Sequence, residues 1–261
     1  MLSLLKSSMA EWSERLLLRF LVIICDVGKP SDEFVNKIWD LRHEINGKFF
    51  VPLLSALDKK RCLASIPLFV DLMGSGKEED KALFKEVLLR LLDSTSPLNP
   101  SEVFIAIHNV PESCSADKID LYLKRSMDCV QLCLSMPNIF KADIIANSIQ
   151  IMVDQSVIPT LLMRTVIQSL NVYRQLSNFV LGILLRLANK RAWTNNRLWE
   201  GFMRLCKMMQ PATMPIIVQL PSLQIEDMIS KFPEIKKPLR DYLEGQPPSL
   251  RNRLGNIMRL I

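Results

Sequence analysis

The chain has 261 residues, 49% of them hydrophobic, with a formal net charge of +6; that is enough apolar material for a sizeable core and excludes an intrinsically disordered class. Glycine is scarce at 8 residues, which disfavours sheet-rich and nucleotide-binding folds that need glycine for bulges and phosphate loops. A composition led by Leu, Met, Lys, Arg, Glu and Ile suits amphipathic helices packed on one another, so an all-α chain is expected.

Apolar residues recur at i, i+3, i+4 and i+7 along the whole length, separated by short breaks. The first predicted helix, near 3–26, opens with MLSLLK, where Lys6 arrives too early for the apolar core of a signal peptide. Gly28 and Pro30 stop it. The next, near 31–45, carries His43 in WDLRHEIN; no second histidine follows four residues on, so the zinc-protease pattern is missing. Helices near 48–57 and 59–72 lead to LMGSGKEED, which invites a phosphate-loop reading. The spacing fails: Asp71 stands where the first motif glycine belongs, and Glu78 where the metal-binding hydroxyl belongs. A solvated loop before a helix near 78–93 is expected instead, with Glu78, Glu79 and Asp80 on its exposed face.

At the helix near 100–109, Asn99 can cap, Pro100 takes the first position and Glu102 can reach back, the pattern of a capping box. His108 lies on the apolar face of this helix and reads as a structural, hydrogen-bonded histidine. A helix near 117–136 places Cys129 and Cys133 on one face, among Val130, Leu132 and Leu134, a pattern of core packing more than of metal binding. The six cysteines show neither a disulfide-framework spacing nor a C-x-x-C pair, which points to a reducing compartment. Helices near 138–154, 160–173, 176–190 and 196–209 follow, Pro159 serving as the N-terminal proline of the second. Those near 213–219, 222–231, 235–244 and 249–260 complete the series, with Gly245, Pro247 and Pro248 between the last two. The longest uncharged run, Met208 to Ile225, contains Pro211, Pro215 and Pro221, a poor membrane span.

Short connections between successive helices predict an α-solenoid of antiparallel pairs, HEAT- or armadillo-like with degenerate repeats, forming one domain over 1–261. A compact irregular helical domain is the runner-up. No cofactor, metal centre or catalytic residue is expected, because two histidines and scattered carboxylates give no triad or ligand set.

Charge is concentrated. Residues 160–210 hold eight basic side chains (Arg164, Arg174, Arg186, Lys190, Arg191, Arg197, Arg204 and Lys207) against Glu200 alone, a net of +7. The rest of the chain is nearly neutral, so an electrostatic partner is expected at this segment, either an acidic protein surface or the phosphates of RNA. Sequence-specific RNA reading is disfavoured, since Trp193 and Trp199 are the only obvious stacking aromatics and Trp199 falls on an apolar stripe. Arg164, Gln168 and Asn171 form a polar stripe opposite Met163, Val166, Ile167, Leu170 and Tyr173. In the next two helices Val180, Ile183, Leu184 and Leu187, then Trp199, Phe202, Met203 and Cys206, read as buried.

Several long stretches carry a family likeness. TLLMRTVIQSL from Thr160, WEGF at Trp199–Phe202, QLP at Gln219–Pro221 and SPLNPSEVFIAIHN from Ser96 resemble the C-terminal conserved region of symplekin. The likeness spans about half the chain and leaves unmatched the flanks before roughly residue 45 and after Gly245. The family's N-terminal HEAT domain and its Pro- and Ser-rich tail have no counterpart, so the chain is read as one region of a larger protein. The resemblance implies a nuclear, non-catalytic scaffold of the machinery that cleaves and polyadenylates pre-mRNA 3′ ends and processes histone mRNAs. Its implied partners are the C-terminal domains of the metallo-β-lactamase-type cleavage endonuclease and of its inactive homologue, joined into a core cleavage module with other cleavage and polyadenylation subunits. The contact with a polymerase-tail phosphatase belongs to the family's N-terminal domain and is not carried over. For such a scaffold the exposed positions Arg164, Gln168, Arg186, Lys190, Arg191, Arg197 and Arg204 are the candidate contacts.

Overall fold

A computed structural model describes residues 11–74, 76–93, 96–249 and 255–258. The expectations for 3–10, and for 250–254 and 259–260 of the last helix, lie outside the described residues. The described chain is all-α, with no strand. Its α-helices are α1 (Glu11–Val27), α2 (Asp32–Asp40), α3 (Lys59–Asp71), α4 (Glu78–Leu91), α5 (Pro100–Ser113), α6 (Ile119–Leu134), α7 (Ala142–Asp154), α8 (Leu162–Val172), α9 (Ser177–Asn189), α10 (Asn196–Met208), α11 (Met214–Ile217), α12 (Ser222–Lys231), α13 (Lys236–Glu244) and α14 (Gly255–Met258). A 3-10 segment, Gly47–Ala56, stands between α2 and α3.

Residues 1–148 and 149–261 form two compact units, with α7 running across the boundary. In the first, α3 touches α4 and α5, α4 touches α6, and α5 packs along α6. In the second, α8 touches α10, α9 touches α11, α11 touches α13 and α12 touches α14. Contact between each helix and the next but one is the layered packing of an α-solenoid, as the short connections require.

Helix starts follow local chemistry. Asn99 Oδ1 accepts from the Glu102 amide at 2.9 Å, and the Asn99 amide donates to Glu102 Oε2 at 3.1 Å, so the capping box is complete. The other oxygen of Glu102 meets Lys59 Nζ at 2.5 Å, tying the starts of α5 and α3 together. Ser31 and Asp58 cap α2 and α3 through amides three residues on. The glycine–lysine loop ends at Lys77, with Glu78, Glu79 and Asp80 in the first turn of α4. Those carboxylates occupy the helix end that would otherwise attract a phosphate.

Several boundaries differ from the periodicity, among them the start of α7 at Ala142 rather than 138; four of the differences are instructive. The helix expected over 31–45 ends at Asp40, where the Arg42 guanidinium donates to the Trp39 carbonyl at 3.2 Å and lies over its indole at 5.1 Å. The 48–57 element is 3-10 rather than α: Pro52 lacks an amide hydrogen, and the run Phe49–Leu54 is buried throughout, leaving no solvent face for an amphipathic helix. The helix expected to end at 109 continues through Pro111 to Ser113, because Val110 and Pro111 are buried in the core and their packing outweighs one lost backbone bond. Pro159 lies ahead of α8 rather than inside it; its carbonyl accepts from the Leu162 amide at 3.0 Å.

The core of the first unit centres on Phe104, which packs on Phe140 at 5.9 Å and on the His108 ring at 4.7 Å. His108 is fully buried, with Nδ1 2.8 Å from the Phe104 carbonyl. Burial pushes its pKa down to about 4, partly opposed by that carbonyl. Asp71, at the end of α3, accepts from Tyr122 at 3.0 Å and Arg125 at 2.6 Å on α6. In the second unit Gly201 on α10 lies against Met163 on α8, so closely that a Cβ added at Gly201 would stand 2.4 Å from the Cβ of Met163. Gly182, in the middle of α9, has open space where its Cβ would be.

Three outcomes are expected. Gly201→Ala should lower stability by about 1–3 kcal/mol, since the helices must part, whereas Gly182→Ala should raise it by about 0.5–1 kcal/mol through helix propensity. Thermal melts of the two variants should therefore move in opposite directions. Asn99→Ala should cost about 1 kcal/mol, read from urea midpoints. Because the folded pKa of His108 lies below the unfolded value of about 6.5, the unfolded chain binds the proton first. The His108 contribution is then constant above about pH 6.5 and falls by about 2 kcal/mol on acidification to pH 5. His108→Gln should flatten the pH dependence of urea unfolding in that window.

Candidate partner-binding surface

Three amphipathic helices of the second unit build the surface. On α8 the residues Met163, Val166, Leu170 and the following Tyr173 are buried, Ile167 is half-buried, and Arg164 and Asn171 face out. On α9 Val180, Ile183, Leu184 and Leu187 are buried and Asn178, Arg186 and Lys190 exposed; on α10 Trp199, Phe202, Met203 and Cys206 are buried and Arg197, Arg204 and Lys207 exposed. Asn195 caps α10 by accepting from the amides of Arg197 and Leu198 at 3.1 and 3.2 Å. The three apolar faces are those expected from the sequence, and so are the polar backs except at Gln168, which was expected to be exposed and is half-buried.

The seven candidate contacts separate into groups. Arg186 Nη2 lies 2.5 Å from Asp154 Oδ1, and Lys190 Nζ donates to the Val153 carbonyl at 2.6 Å, so these two cations fasten α9 to the last turn of α7. A hydrogen bond from Gln150 and the charges of Arg186 and Lys190 hold the Asp154 carboxyl below its ordinary range. Arg204 pairs along its own helix with Glu200 at 2.6 Å. Gln168 is half-buried, and its Oε1 is buried without a hydrogen-bond partner. Arg197 is exposed in the first turn of α10. Arg164 and Arg191 are exposed and enter no ion pair among the described residues, as does Arg174.

Arg191 also has φ 56° and ψ 53°, the left-handed conformation that glycine or asparagine normally supplies after a helix. Its amide donates to the Ala188 carbonyl at 3.0 Å, ending α9. A residue with a Cβ is costlier here than glycine by roughly 1 kcal/mol, and the turn itself does not use the guanidinium.

The segment's charge is partly neutralised by carboxylates distant in sequence. Asp154 answers Arg186, and Glu234 pairs with Lys207, whose ammonium also lies over the Phe232 ring at 5.2 Å. The Lys207 bond lowers the Glu234 pKa. Beside them is a cleft of about 390 Å³ lined by Asn196, Trp199, Glu200, Lys231 and Phe232, which the sequence reading did not anticipate. Trp199 Nε1 donates to Asp227 Oδ2 at 2.7 Å, and Lys231 reaches the same oxygen at 3.0 Å. Burial raises the Asp227 pKa, but these two donors outweigh it and leave the carboxyl below its usual value. The one signal available was the Asp227–Lys231 spacing of i, i+4 on the predicted 222–231 helix. Trp193 packs edge-on to Trp199 at 6.4 Å, and Trp199 stacks on Phe202 at 5.2 Å, so these rings stabilise the helix junction and Trp199 is not available for base stacking.

Among the described residues no group of three His, Cys, Asp or Glu side chains could hold a metal ion, and no helix is long and apolar enough to cross a membrane. Cys129, Cys133 and Cys206 are buried, and burial drives their thiols up, away from the reactive thiolate; Cys62 rises to about 11.

No solved structure matches the chain. A family described as symplekin tight junction protein C terminal matches residues 46–232. That span includes most of the first unit beyond α2 and the second unit through the end of α12, with all seven candidate positions inside it. The stretches from Ser96, Thr160, Trp199 and Gln219 all fall within the match. The chain belongs to the symplekin C-terminal family.

Proposed function

We propose that this chain is a non-catalytic scaffold of pre-mRNA 3′-end processing, acting in the nucleus as one scaffold domain over residues 1–261. Its partners in this reading are the C-terminal domains of the metallo-β-lactamase-type cleavage endonuclease and of its inactive homologue, held together as the core cleavage module for polyadenylation and histone mRNA processing. The family match over 46–232 carries the reading. The helical layers support it, since they present a surface in which Arg164 and Arg191 enter no ion pair among the described residues. Arg191 adds weight: a left-handed arginine whose guanidinium the turn does not use fits a residue kept for an external contact.

Size-exclusion chromatography of the chain with the two nuclease-type C-terminal domains, singly and together, tests the assembly. A three-part complex at moderate salt is expected; elution of the chain alone in every mixture would overturn the reading. For the surface, Arg164→Glu with Arg191→Glu should leave the far-ultraviolet circular dichroism unchanged and weaken partner binding about tenfold or more, with the association rate and its salt dependence affected first. Arg191→Gly should hold or raise the melting temperature while lowering affinity. An Arg191→Gly chain that binds as tightly as the parent would remove Arg191 from the interface. Reversing Arg186 is a poorer probe, because it would set a carboxylate against Asp154.

RNA contact by the 160–210 segment is the second reading, motivated by the three arginines Arg164, Arg174 and Arg191. Three phosphate contacts predict a slope of log K against log salt of about −2 for a single strand. Undetectable binding to a short RNA at low salt would dismiss it.

A further inference from the structure

Helix α1 has two apolar faces. Leu17 and Leu21 are buried, and the helix packs on the Gly47–Ala56 segment, while Leu16, Phe20, Ile23 and Val27 stand 51% to 85% exposed. Their spacings of four, three and four residues make one straight seam along the helix, the pattern that lies against another helix. Arg19 and Asp26, seven residues apart, flank the seam on the same side; both are exposed and neither enters an ion pair among the described residues. The opposite flank is Leu17 and Ile24, turned toward the chain's own core.

We infer that this seam is a self-association surface, and that its occupant is α1 of a second copy, running antiparallel about a two-fold axis. Antiparallel pairing brings Phe20 against Ile23 of the other copy and Leu16 against Val27, then repeats both contacts by symmetry, which closes four layers with no residue left over. In that register Arg19 of each copy faces Asp26 of the other, so the two free charges become two reciprocal ion pairs. Parallel pairing would leave Arg19 opposite Ile24 and use neither charge. A lipid surface is disfavoured, since an anionic headgroup layer would meet Asp26 along the same edge as Arg19. The four apolar side chains and two charges present on the order of 600 Å² per copy, about 1,200 Å² in the pair, the lower edge of the range for specific interfaces. Interfaces of that size are typical of weak, transient association. The seam lies outside the family match at 46–232 and shares no residue with the surface built on α8, α9 and α10.

Sedimentation velocity of the full 261-residue chain, from about 1 to 200 µM, tests the inference. A concentration-dependent shift from monomer to dimer is expected. Phe20→Glu with Ile23→Lys should abolish it without lowering the melting temperature. Arg19→Asp and Asp26→Arg should each weaken association about tenfold, and the chain carrying both swaps should regain it, a rescue only the antiparallel register gives. A chain that stays monomeric at all concentrations overturns the proposal. In that case, a melting temperature lowered by Phe20→Glu would mean that the chain's own residues cover the seam, and flotation with phosphatidylserine vesicles would mean a membrane. Association that survives Phe20→Glu with Ile23→Lys, or lacks rescue by the double swap, would overturn it as well.

Discussion

The second unit depends on a close approach. At Gly201 the backbone of α10 comes so near Met163 on α8 that no side-chain carbon fits between them. Ridges of larger residues would force the two helices apart toward the usual separation of about 8–10 Å. Trp199, Phe202, Met203 and Val166 are buried together with this crossing. The crossing thereby fixes where the exposed sides of α8 and α10 stand, and with them Arg164, Arg197 and Arg204. The two stretches that most strongly carry the family likeness, TLLMRTVIQSL and WEGF, contribute the two sides of this contact, one with Met163 and the other with Gly201. Their resemblance is thus first a record of packing, and that packing decides where the candidate contact residues stand.

That distinction explains why the buried faces were legible in the sequence and the pairing of the candidate contact positions was less so. A helix of known phase tells which side chains point inward, and Met163, Val180, Ile183, Trp199 and Phe202 are all where the 3.6-residue period puts them. The same period tells that Arg186, Lys190 and Arg204 point outward, but not that Asp154, the Val153 carbonyl and Glu200 are waiting beside them. Counting charge over 160–210 missed Asp154 and Glu234, because pairing depends on neighbours in space that lie outside any sequence window. The cleft beside Trp199 was hidden for the same reason: one wall comes from α10 and the other from Lys231 and Phe232.

Local chemistry was readable where it is complete within a few residues. Asn99, Pro100 and Glu102 form their capping box without tertiary help, and the loop ending at Lys77 stops at the first acidic turn of α4. Pro111 shows the opposite. A proline normally ends a helix, yet α5 runs past it because Val110 and Pro111 are buried, and the free energy of burying them exceeds that of the missing bond. The 3-10 segment at Gly47–Ala56 belongs with this case, since enclosure on every side removes the amphipathic pattern from which a helix type can be read. His108 was legible as structural, but the size of its acid shift comes from complete burial, which only the packed neighbours Phe104 and Phe140 make evident.

Helix α1 gives the same reasoning a different use. A helix with one apolar face has spent it on its own core; a helix with two has surface left over, and burying that surface against a partner is favourable in proportion to its area. Here the spare face lies in the first unit and outside the family match, whereas the arginines proposed for partner contact lie in the second. The two places share no residue, so against an unpaired partner substitutions at them act on separate equilibria. Were both surfaces in use, a pair of chains joined through α1 would present two copies of the partner site. Each nuclease-type partner that is itself paired would then meet two sites at a high effective concentration, and even a weak α1 contact would strengthen the whole assembly without adding a contact at either surface.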